Sequence, residues 1–212
     1  DDILAGSINA DPNGSASGAA YLCYGPLAGS LNLSAADETY NGTAADDQLG
    51  EMVALGDLNG DGTLDILLGV SLADSAGSNA GALYILSVGS SGSAASLAFA
   101  TITGEDSDDR LGAEVAVGDV NADAISDLLV GAWYEDSAGT GAGAAYLLYG
   151  PVAGTLSAAS ADWKGTGSSS RDNAGVGVAL GDMDGDGFAD LLVGAPAAGT
   201  GGEAYGIWGG GF

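Results

Sequence analysis

The sequence contains no histidine, one cysteine and only three lysine or arginine residues among its 212 residues. Without histidine, catalysis and metal sites that depend on an imidazole are excluded. The single cysteine, Cys23, cannot form a disulfide within the chain, and its neighbours Leu22 and Tyr24 predict a buried, unreactive thiol. Long hydrophobic runs are also lacking, because no apolar stretch approaches the roughly 18 residues of a membrane span. We therefore expect a soluble chain without membrane insertion.

Charge is strongly one-sided. Acidic residues number 29, which gives a formal net charge of -26. Such a chain repels nucleic acid and anionic membranes and attracts cations. Because 46% of the residues are hydrophobic, the chain can nevertheless bury a substantial core. Nucleic acid is thus excluded as a partner, and disorder is disfavoured.

An oxygen-rich nonapeptide occurs three times, as loop one (57–65), loop two (119–127) and loop three (182–190). Each copy carries Asp or Asn at its first, third, fifth and ninth positions. A tight turn with this pattern can direct four side-chain oxygens and the seventh-position carbonyl at one cation. These donors are hard oxygens, so they favour calcium over zinc or copper, and magnesium suits them less because it loses its water reluctantly.

Two other interpretations of the loops are less favoured. A single Asp-rich turn is often free of any ion, but three copies in register would each crowd like charges without a cation. A helix-loop-helix calcium sensor requires Glu at the twelfth loop position. The residues at that position are Leu68, Val130 and Val193. Metal binding without flanking helices is therefore favoured.

Apolar blocks recur at fixed distances from the three loops. A block of the type Asp-Leu-Leu-Val-Gly overlaps the end of each loop and also opens the chain at Asp2, and a block with alternating aromatics follows it. A unit near 60 residues with four short strands and glycine-rich turns is typical of propeller blades arranged around an axis. The strand count is three in the first unit, four in the second and third, and three in the last, 14 in all.

The predicted fold class is all-β: a β-propeller of four-stranded antiparallel blades that forms a partial ring of about 3.5 blades. A single propeller segment covers the chain, with its units at approximately 1–38 (partial), 39–100, 101–161 and 162–212. Two matching segments, 25–31 and 150–156, are absent from the other units. We interpret them as decorations on blade-edge loops.

The start of the chain suggests an incomplete ring. Asp2 occupies the ninth position of a loop whose earlier ligand positions are missing, so we expect a segment of a longer polypeptide. Known rings have about 4 to 8 blades. Alternatively, a neighbouring copy supplies the missing innermost strand and covers the last edge, which would produce a composite ring or a filament. Whether Asp2 belongs to a fourth metal site stays open.

Further residues surround each loop in a regular way. A Leu-Gly or Ala-Gly pair precedes the strand before it, an Asp-x-Asn/Asp-Gly-Asp-Gly-x-x-Asp pattern forms it, and Gly194-Ala195-Pro196 follows the last copy. This combination resembles the FG-GAP repeat of integrin α-subunit propellers, with the name-giving Phe replaced by Leu49, Leu111 and Ala174. The resemblance implies a β-propeller with calcium in the loops joining the first two strands of each blade. It also implies extracellular recognition or adhesion, usually without catalysis.

Position by position, the resemblance implies about three calcium ions, one in each intact loop. The implied side-chain ligands are Asp57, Asn59, Asp61 and Asp65; Asp119, Asn121, Asp123 and Asp127; and Asp182, Asp184, Asp186 and Asp190. The implied backbone carbonyl ligands belong to Thr63, Ile125 and Phe188.

The three loops are not equivalent. Loop three has four Asp ligands, whereas loop two has Ala122 and Ala124 where the other loops have Gly. If the sixth position requires a positive φ, alanine costs about 1 kcal/mol there. We therefore expect calcium affinity to decrease from loop three to loop one to loop two.

The leading functional hypothesis is an extracellular calcium-binding module that acts in adhesion or in recognition of an unknown protein or glycan, without catalysis. An alternative is a structural surface or filament-forming protein that assembles head-to-tail with further copies of itself. A third is an accessory domain of a secreted carbohydrate-active enzyme. The chain itself is not expected to be an enzyme, since it lacks histidine and a Gly-x-Ser-x-Gly motif, and the pairs Asp46-Asp47 and Asp108-Asp109 match turn positions in both repeats. Trp133, Tyr134 and Trp208 are expected to fill space between blades.

Overall fold

A computed structural model describes residues 2–210, and this part of the chain contains sixteen β-strands, one short α-helix and two 3₁₀ turns. In chain order the strands are β1 (Ile3–Ser7), β2 (Ala19–Cys23), β3 (Glu38–Asn41), β4 (Val53–Gly56), β5 (Asp65–Val70), β6 (Ala82–Leu86), β7 (Gly92–Ser93), β8 (Ala100–Thr103), β9 (Leu111–Gly118), β10 (Asp127–Ala132), β11 (Ala144–Leu148), β12 (Gly154–Ser157), β13 (Trp163–Thr166), β14 (Gly177–Gly181), β15 (Asp190–Ala195) and β16 (Glu203–Ile207). The helix α1 spans Ala94–Leu97, and the 3₁₀ turns span Leu33–Ala35 and Ala158–Ser160. No helix within residues 2–210 is long and apolar enough to cross a membrane.

The strands form four sheets that follow one another along the chain, and we call them blades one to four. Blade one contains β1, β2 and β3; blade two contains β4, β5, β6 and β8; blade three contains β9, β10, β11 and β13; blade four contains β14, β15 and β16. Neighbouring strands among these are antiparallel. The innermost strands β4, β9 and β14 contact one another in sequence. All 14 predicted strands are present, and the prediction of a partial, unclosed β-propeller is confirmed.

Apolar side chains from consecutive blades make three buried clusters. Blades one and two share the first, blades two and three share the second, and blades three and four share the third. The second strand of blade two, β5, is buried at all six of its residues because neighbours cover both of its faces. In blade four, by contrast, Leu192 is 38% exposed, while its counterparts Leu67 and Leu129 are 0% exposed. The core therefore lies between the blades, and the outer face of blade four is uncovered.

Two strands were not predicted, and both extend the preceding blade. β7 pairs in parallel with β3, and β12 pairs in parallel with β8. The interpretation of segment 150–156 as a mere decoration is therefore wrong, because the segment contains most of β12. Its Val152 is 1% exposed and donates its N–H to the Leu58 carbonyl at 2.8 Å. The matching segment 25–31 forms no strand, and its Leu31 is 43% exposed.

Glycine permits a close backbone approach between consecutive blades. A Cβ on Gly131 of β10 would overlap the carbonyl oxygen of Gly175, which precedes β14, and the pair Gly69 and Gly112 repeats this contact between blades two and three. Backbone hydrogen bonds at the same level, such as Ala174 N–H to Ala142 O at 2.9 Å, join the blades further. The spacing of the blades near the axis is therefore set by main chain rather than by side chains.

We predict that Gly131→Ala destabilises the fold by about 2 kcal/mol, because overpacking against a fixed backbone carbonyl forces the blades apart. Urea unfolding followed by circular dichroism measures this change. The matched control is Gly194→Ala at the same position of blade four, where the nearest atom to an added Cβ is Gly177 O at 3.5 Å. Equal effects of the two substitutions would show that the contact between blades does not require glycine.

Candidate metal centres

The three predicted loops lie at corresponding places in consecutive blades. Loop one joins β4 to β5, loop two joins β9 to β10, and loop three joins β14 to β15. Each loop therefore connects the first and second strands of its blade, at the same end of the sheet. This is the location that the sequence predicted.

Loop three brings three of its four predicted carboxylates together. Oxygen atoms of Asp182, Asp184 and Asp190 all lie within 4.8 Å of one another, and within the described chain this is the one group of three or more acidic, histidine or cysteine side chains that is so compact. Asp182 and Asp184 are exposed, whereas Asp190 is 1% exposed. The fourth, Asp186, accepts the N–H of Phe188 through Oδ1 at 2.9 Å. Clustered hard oxygens of this kind fit a calcium ion.

Loop one forms a similar turn with fewer carboxylates near one another. Both oxygens of Asp57 accept backbone N–H groups, Oδ1 from Gly60 and Asp61 at 2.8 and 3.1 Å and Oδ2 from Gly62 at 2.8 Å. The Asn59 side chain accepts the Asp61 N–H at 2.8 Å and donates its Nδ2 to Asp65 Oδ1 at 3.2 Å. The turn thus fixes the first-position carboxylate by hydrogen bonds, and the hydrogen bond from the Thr63 N–H lowers the pKa of Asp61.

Loop two has the same hydrogen-bonded turn. Asp119 accepts the N–H groups of Asp123 at 3.2 Å and Ala124 at 3.0 Å. Asn121 accepts the Asp123 N–H at 2.9 Å, as Asn59 does for Asp61. The ligand positions of all three loops therefore share one backbone framework.

The backbone N–H of the seventh residue in each loop donates a hydrogen bond to the carboxylate of the fifth residue. Thr63 donates its N–H to Asp61 at 2.8 Å, and Ile125 donates to Asp123 at 2.8 Å, like Phe188 in loop three. Their carbonyl groups remain predicted calcium ligands.

The ninth-position aspartate is the buried member of each set. Asp65, Asp127 and Asp190 are 1%, 0% and 1% exposed. One oxygen of each accepts the N–H of the second loop residue, at 3.1, 2.8 and 2.7 Å respectively. Burial raises the pKa of the Asp65 and Asp127 carboxyls. These residues therefore join the loop to the core of the blade.

The second oxygen of the ninth-position aspartate reaches the end of the third strand. Asp127 accepts the Gly150 N–H at 2.9 Å, and Asp190 accepts the Gly209 N–H at 2.8 Å. Asp2 makes the same contact, with the Gly25 N–H at 2.7 Å. Asp2 therefore has the place in blade one that the sequence pattern predicted for it.

Neighbouring loops are hydrogen-bonded to each other, which the sequence analysis missed. The Ser126 N–H of loop two donates to the Asp57 carbonyl at 3.1 Å, and the Ala189 N–H of loop three donates to the Asp119 carbonyl at 2.9 Å. The apolar residue at the second position of each loop was the feature of the sequence that could have indicated this contact between loops. Leu58 and Val120 at that position are 0% exposed in the clusters between blades, whereas Met183 of loop three is 49% exposed.

The backbone of the loops explains the glycine pattern. At the sixth position φ is +85° for Gly62, +67° for Ala124 and +95° for Gly187. The expectation of a positive φ there is confirmed. The fourth position is also left-handed, with φ of +59° at Ala122, so loop two carries two alanines where glycine is favoured.

The acidic pairs outside the loops act as turn residues. Asp47 and Asp109 are 7% and 2% exposed, and Asp109 accepts the N–H groups of Glu105 and Asp106 at 3.0 and 2.8 Å. The residues that precede them, Asp46 and Asp108, have positive φ of 67° and 69°. This geometry is that of a capped turn before an inner strand.

The prediction that Trp133, Tyr134 and Trp208 fill space between blades is wrong for two of these three residues. Trp208 is 58% exposed because no sheet covers the outer face of blade four, and Tyr134 is 37% exposed. Trp133 is partly buried, and the Arg110 guanidinium lies 5.0 Å from its ring centroid. The rings of Trp133 and Tyr134 make an edge-to-face contact at 5.4 Å.

An open ring of antiparallel blades with Asp-rich loops between their first two strands defines an integrin-like β-propeller. The family model described as FG-GAP repeat matches residues 50–86, 111–148 and 174–208, which together make up more than half of the chain. The chain therefore belongs to the FG-GAP repeat family. A search of curated proteins finds none that matches it.

We predict that calcium affinity decreases from loop three to loop one to loop two. Loop three has the most carboxylates and the compact cluster, and loop two has two strained alanines. Calorimetric titration of the wild type and of Asp186→Ala, Asp61→Ala and Asp123→Ala assigns each binding step. A largest loss of affinity on substitution of Asp123 would contradict this order.

Ala124→Gly should raise the affinity of loop two about fivefold, because relief of roughly 1 kcal/mol of backbone strain favours the calcium-bound turn. The reverse substitution, Gly187→Ala in loop three, is the matched comparison and should lower affinity by a similar factor. The same calorimetric titration measures the calcium affinity of both loops. If the two substitutions change calcium affinity in the same direction, backbone strain does not determine the difference in affinity between loop two and loop three.

Proposed function

We propose that this chain is a calcium-stabilised extracellular module that acts in adhesion or recognition and has no catalytic activity of its own. The observation that carries the proposal is the cluster of Asp182, Asp184 and Asp190, whose backbone framework recurs in loops one and two. About three calcium ions would bind, one per loop.

Calcium would stabilise the blades by cancelling repulsion within each loop. The ninth-position aspartate belongs both to the loop and to the second strand, so an ion bound there also holds the first and second strands together. Sites of this type saturate at the millimolar calcium of extracellular fluid and would stay mostly empty at cytosolic levels. This dependence supports an extracellular location.

A protein or glycan ligand is proposed to bind at the opposite end of the blades from the calcium loops. The connection between β10 and β11 lies there and exposes Tyr134 beside Trp133 and Arg110. Aromatic rings and arginine are the side chains that most often carry binding energy at interfaces, and rings also stack on sugars. An accessory, sugar-binding role beside a secreted carbohydrate-active enzyme would use the same surface.

Removal of calcium is predicted to lower the free energy of unfolding. Each site contributes about 2.7 kcal/mol when free calcium is 100 times its Kd. Thermal unfolding in millimolar calcium and in excess chelator measures the difference. Asp182→Asn combined with Asp184→Asn should remove one site's share of the stabilisation.

The control is Asp46→Asn, which removes a carboxylate outside the loops at a residue whose φ of +67° suits asparagine. Its response to calcium should equal that of the wild type. A double loop variant that still responds like the wild type would contradict the proposal of calcium binding in loop three.

Head-to-tail assembly with a second copy is the second candidate function. Its support is the uncovered outer face of blade four, where Leu192 and Trp208 are 38% and 58% exposed. Within the chain, the equivalent face of each earlier blade is covered by the next blade, on a face that we call the leading face of that next blade. The leading face of blade one is not covered in this way, and its Ile3 is 43% exposed. A second copy would repeat a contact that the chain already makes three times.

Sedimentation velocity over a range of protein concentrations tests this assembly. We predict species larger than the monomer for the wild type and a shift to monomer for Leu192→Glu, which places a charge in the apolar contact. Val88→Glu is the control, since Val88 is 37% exposed in the connection from β6 to β7 and lies outside this face. A wild type that stays monomeric at every concentration would refute assembly but leave the calcium proposal intact.

A further inference from the structure

A second acidic site lies at the end of the blades opposite the calcium loops. It is a cavity of about 330 Å³ between the connection from β8 to β9 and the connection from β10 to β11. Its charged lining consists of Glu105, Asp106, Asp109, Glu135 and Asp136. None of these residues belongs to a calcium loop.

The same cavity recurs one blade earlier with a different lining. There it measures about 240 Å³ and contains two carboxylates, those of Asp47 and Asp74. The residues that replace Glu105, Asp106 and Glu135 in the earlier cavity are Thr43, Ala44 and Ala73. The backbone of the cavity thus recurs at two consecutive blade junctions, and three added acids distinguish this one.

An ammonium group already lies beside these acids. The Nζ atom of Lys164 on β13 is 3.0 Å from Glu105 Oε1 and 3.0 Å from Glu135 Oε1. It also lies 5.1 Å from the ring centroid of Tyr146. The equivalent residue of blade two is Thr101, so lysine occurs together with the added acids. One ammonium neutralises only one of the five carboxylates.

Hydrogen-bond acceptors at the cavity remain without donors. Glu135 is 3% exposed, and its Oε2 has no hydrogen-bond partner among the described residues. A buried acceptor left unpaired costs free energy, so a ligand that brings donors is favoured. The exposed carboxylate of Asp106 also accepts no hydrogen bond from residues 2–210. Burial, together with repulsion from Glu135, raises the pKa of Asp109 to about 6.

The arrangement suits an organic cation better than a metal ion. A metal requires ligand atoms that converge on one point, and in the described part of the chain a sufficiently compact group of three occurs only in loop three. Lys164 occupies the point at which Glu105 and Glu135 converge, so these two carboxylates are already paired and cannot form a compact metal site. Dispersed acceptors around a cavity of this size match an ammonium group on a carbon chain, with its three donors.

We propose that this cavity binds the primary ammonium group of a small organic amine or of a lysine side chain, next to Lys164 and with Asp106, Asp109 and Glu135 as acceptors. The site is independent of calcium in the loops. It specifies a ligand with a primary ammonium group at the end of the blades opposite the calcium loops.

Titration of the calcium-saturated chain with two amines tests the proposal and distinguishes the source of the ammonium. The probes are putrescine, a free diamine, and Nα-acetyl-lysine amide, a mimic of a side chain. We expect saturable shifts of the backbone amide NMR signals of residues 105–109 and 135–137 with at least one probe. The Nε-acetylated lysine probe lacks the charge and should cause no shift. Absence of saturable shifts with both amines would overturn the proposal.

Two variants locate the binding. Asp106→Asn should weaken the affinity for the amine about tenfold, the effect of losing one charge-assisted hydrogen bond. It should not affect folding, because this exposed carboxylate accepts no hydrogen bond from residues 2–210. Glu135→Ala introduces the alanine that blade two has at the equivalent position, Ala73, and should weaken amine binding at least as much. Thermal unfolding confirms that each variant is folded.

The control variant is Glu114→Gln on β9, which removes the same charge from an inner strand outside the cavity. It should leave the affinity unchanged. Equal weakening by Glu114→Gln and Asp106→Asn would indicate general attraction to an acidic protein and would overturn the proposal. Stoichiometric displacement of the amine by additional calcium would overturn it in favour of a metal site.

Discussion

The structure depends on a buried carboxylate at the point where each Asp-rich loop becomes the second strand of its blade. Asp127 shows the arrangement: one oxygen accepts the Val120 N–H within the loop, and the other accepts the Gly150 N–H beyond the third strand. A carboxylate that is 0% exposed has lost its hydration, so these hydrogen bonds must stabilise its charge, and the proposed cation would add to them. Loop geometry and strand pairing are therefore linked through one side chain per blade, and the proposed ion would bind to the same side chain.

The blades transmit this constraint to one another through the main chain. Loop two is hydrogen-bonded to loop one through the Ser126 N–H and the Asp57 carbonyl, and loop three is bonded to loop two in the same way. Near the axis, Gly131 and Gly175 let the backbones of blades three and four approach more closely than any side chain would allow. Because both contacts involve main-chain atoms, the position of one loop restricts that of its neighbour.

The sequence predicted those features that depend on local residues and on repetition. The period located the 14 strands, and the Asp and Gly positions located the loops and their positive φ, including the strain at Ala124. It did not predict β7 and β12, because each lies outside the four-strand repeat and forms only where the outer strand of the preceding blade is available to pair with it. The exposure of Trp208 likewise depends on whether another sheet covers it, which its own residues do not encode.

The two ends of the blades place their acids differently, in a way that suits the two different cations that we propose. At the loop end, Asp or Asn at alternate positions directs oxygens to a single point, and in loop three they lie within 4.8 Å of one another. At the opposite end, the acids come from separate connections, and Lys164 is 59 residues from Glu105 in the chain. Their oxygens therefore surround a cavity instead of a point. Since the earlier blade has Thr43 and Ala73 at the positions of Glu105 and Glu135, the difference between the two junctions lies in side chains alone. A repeat that keeps its fold by backbone contacts and buried aspartates is free to vary these outer positions, which is where a distinct ligand specificity can arise.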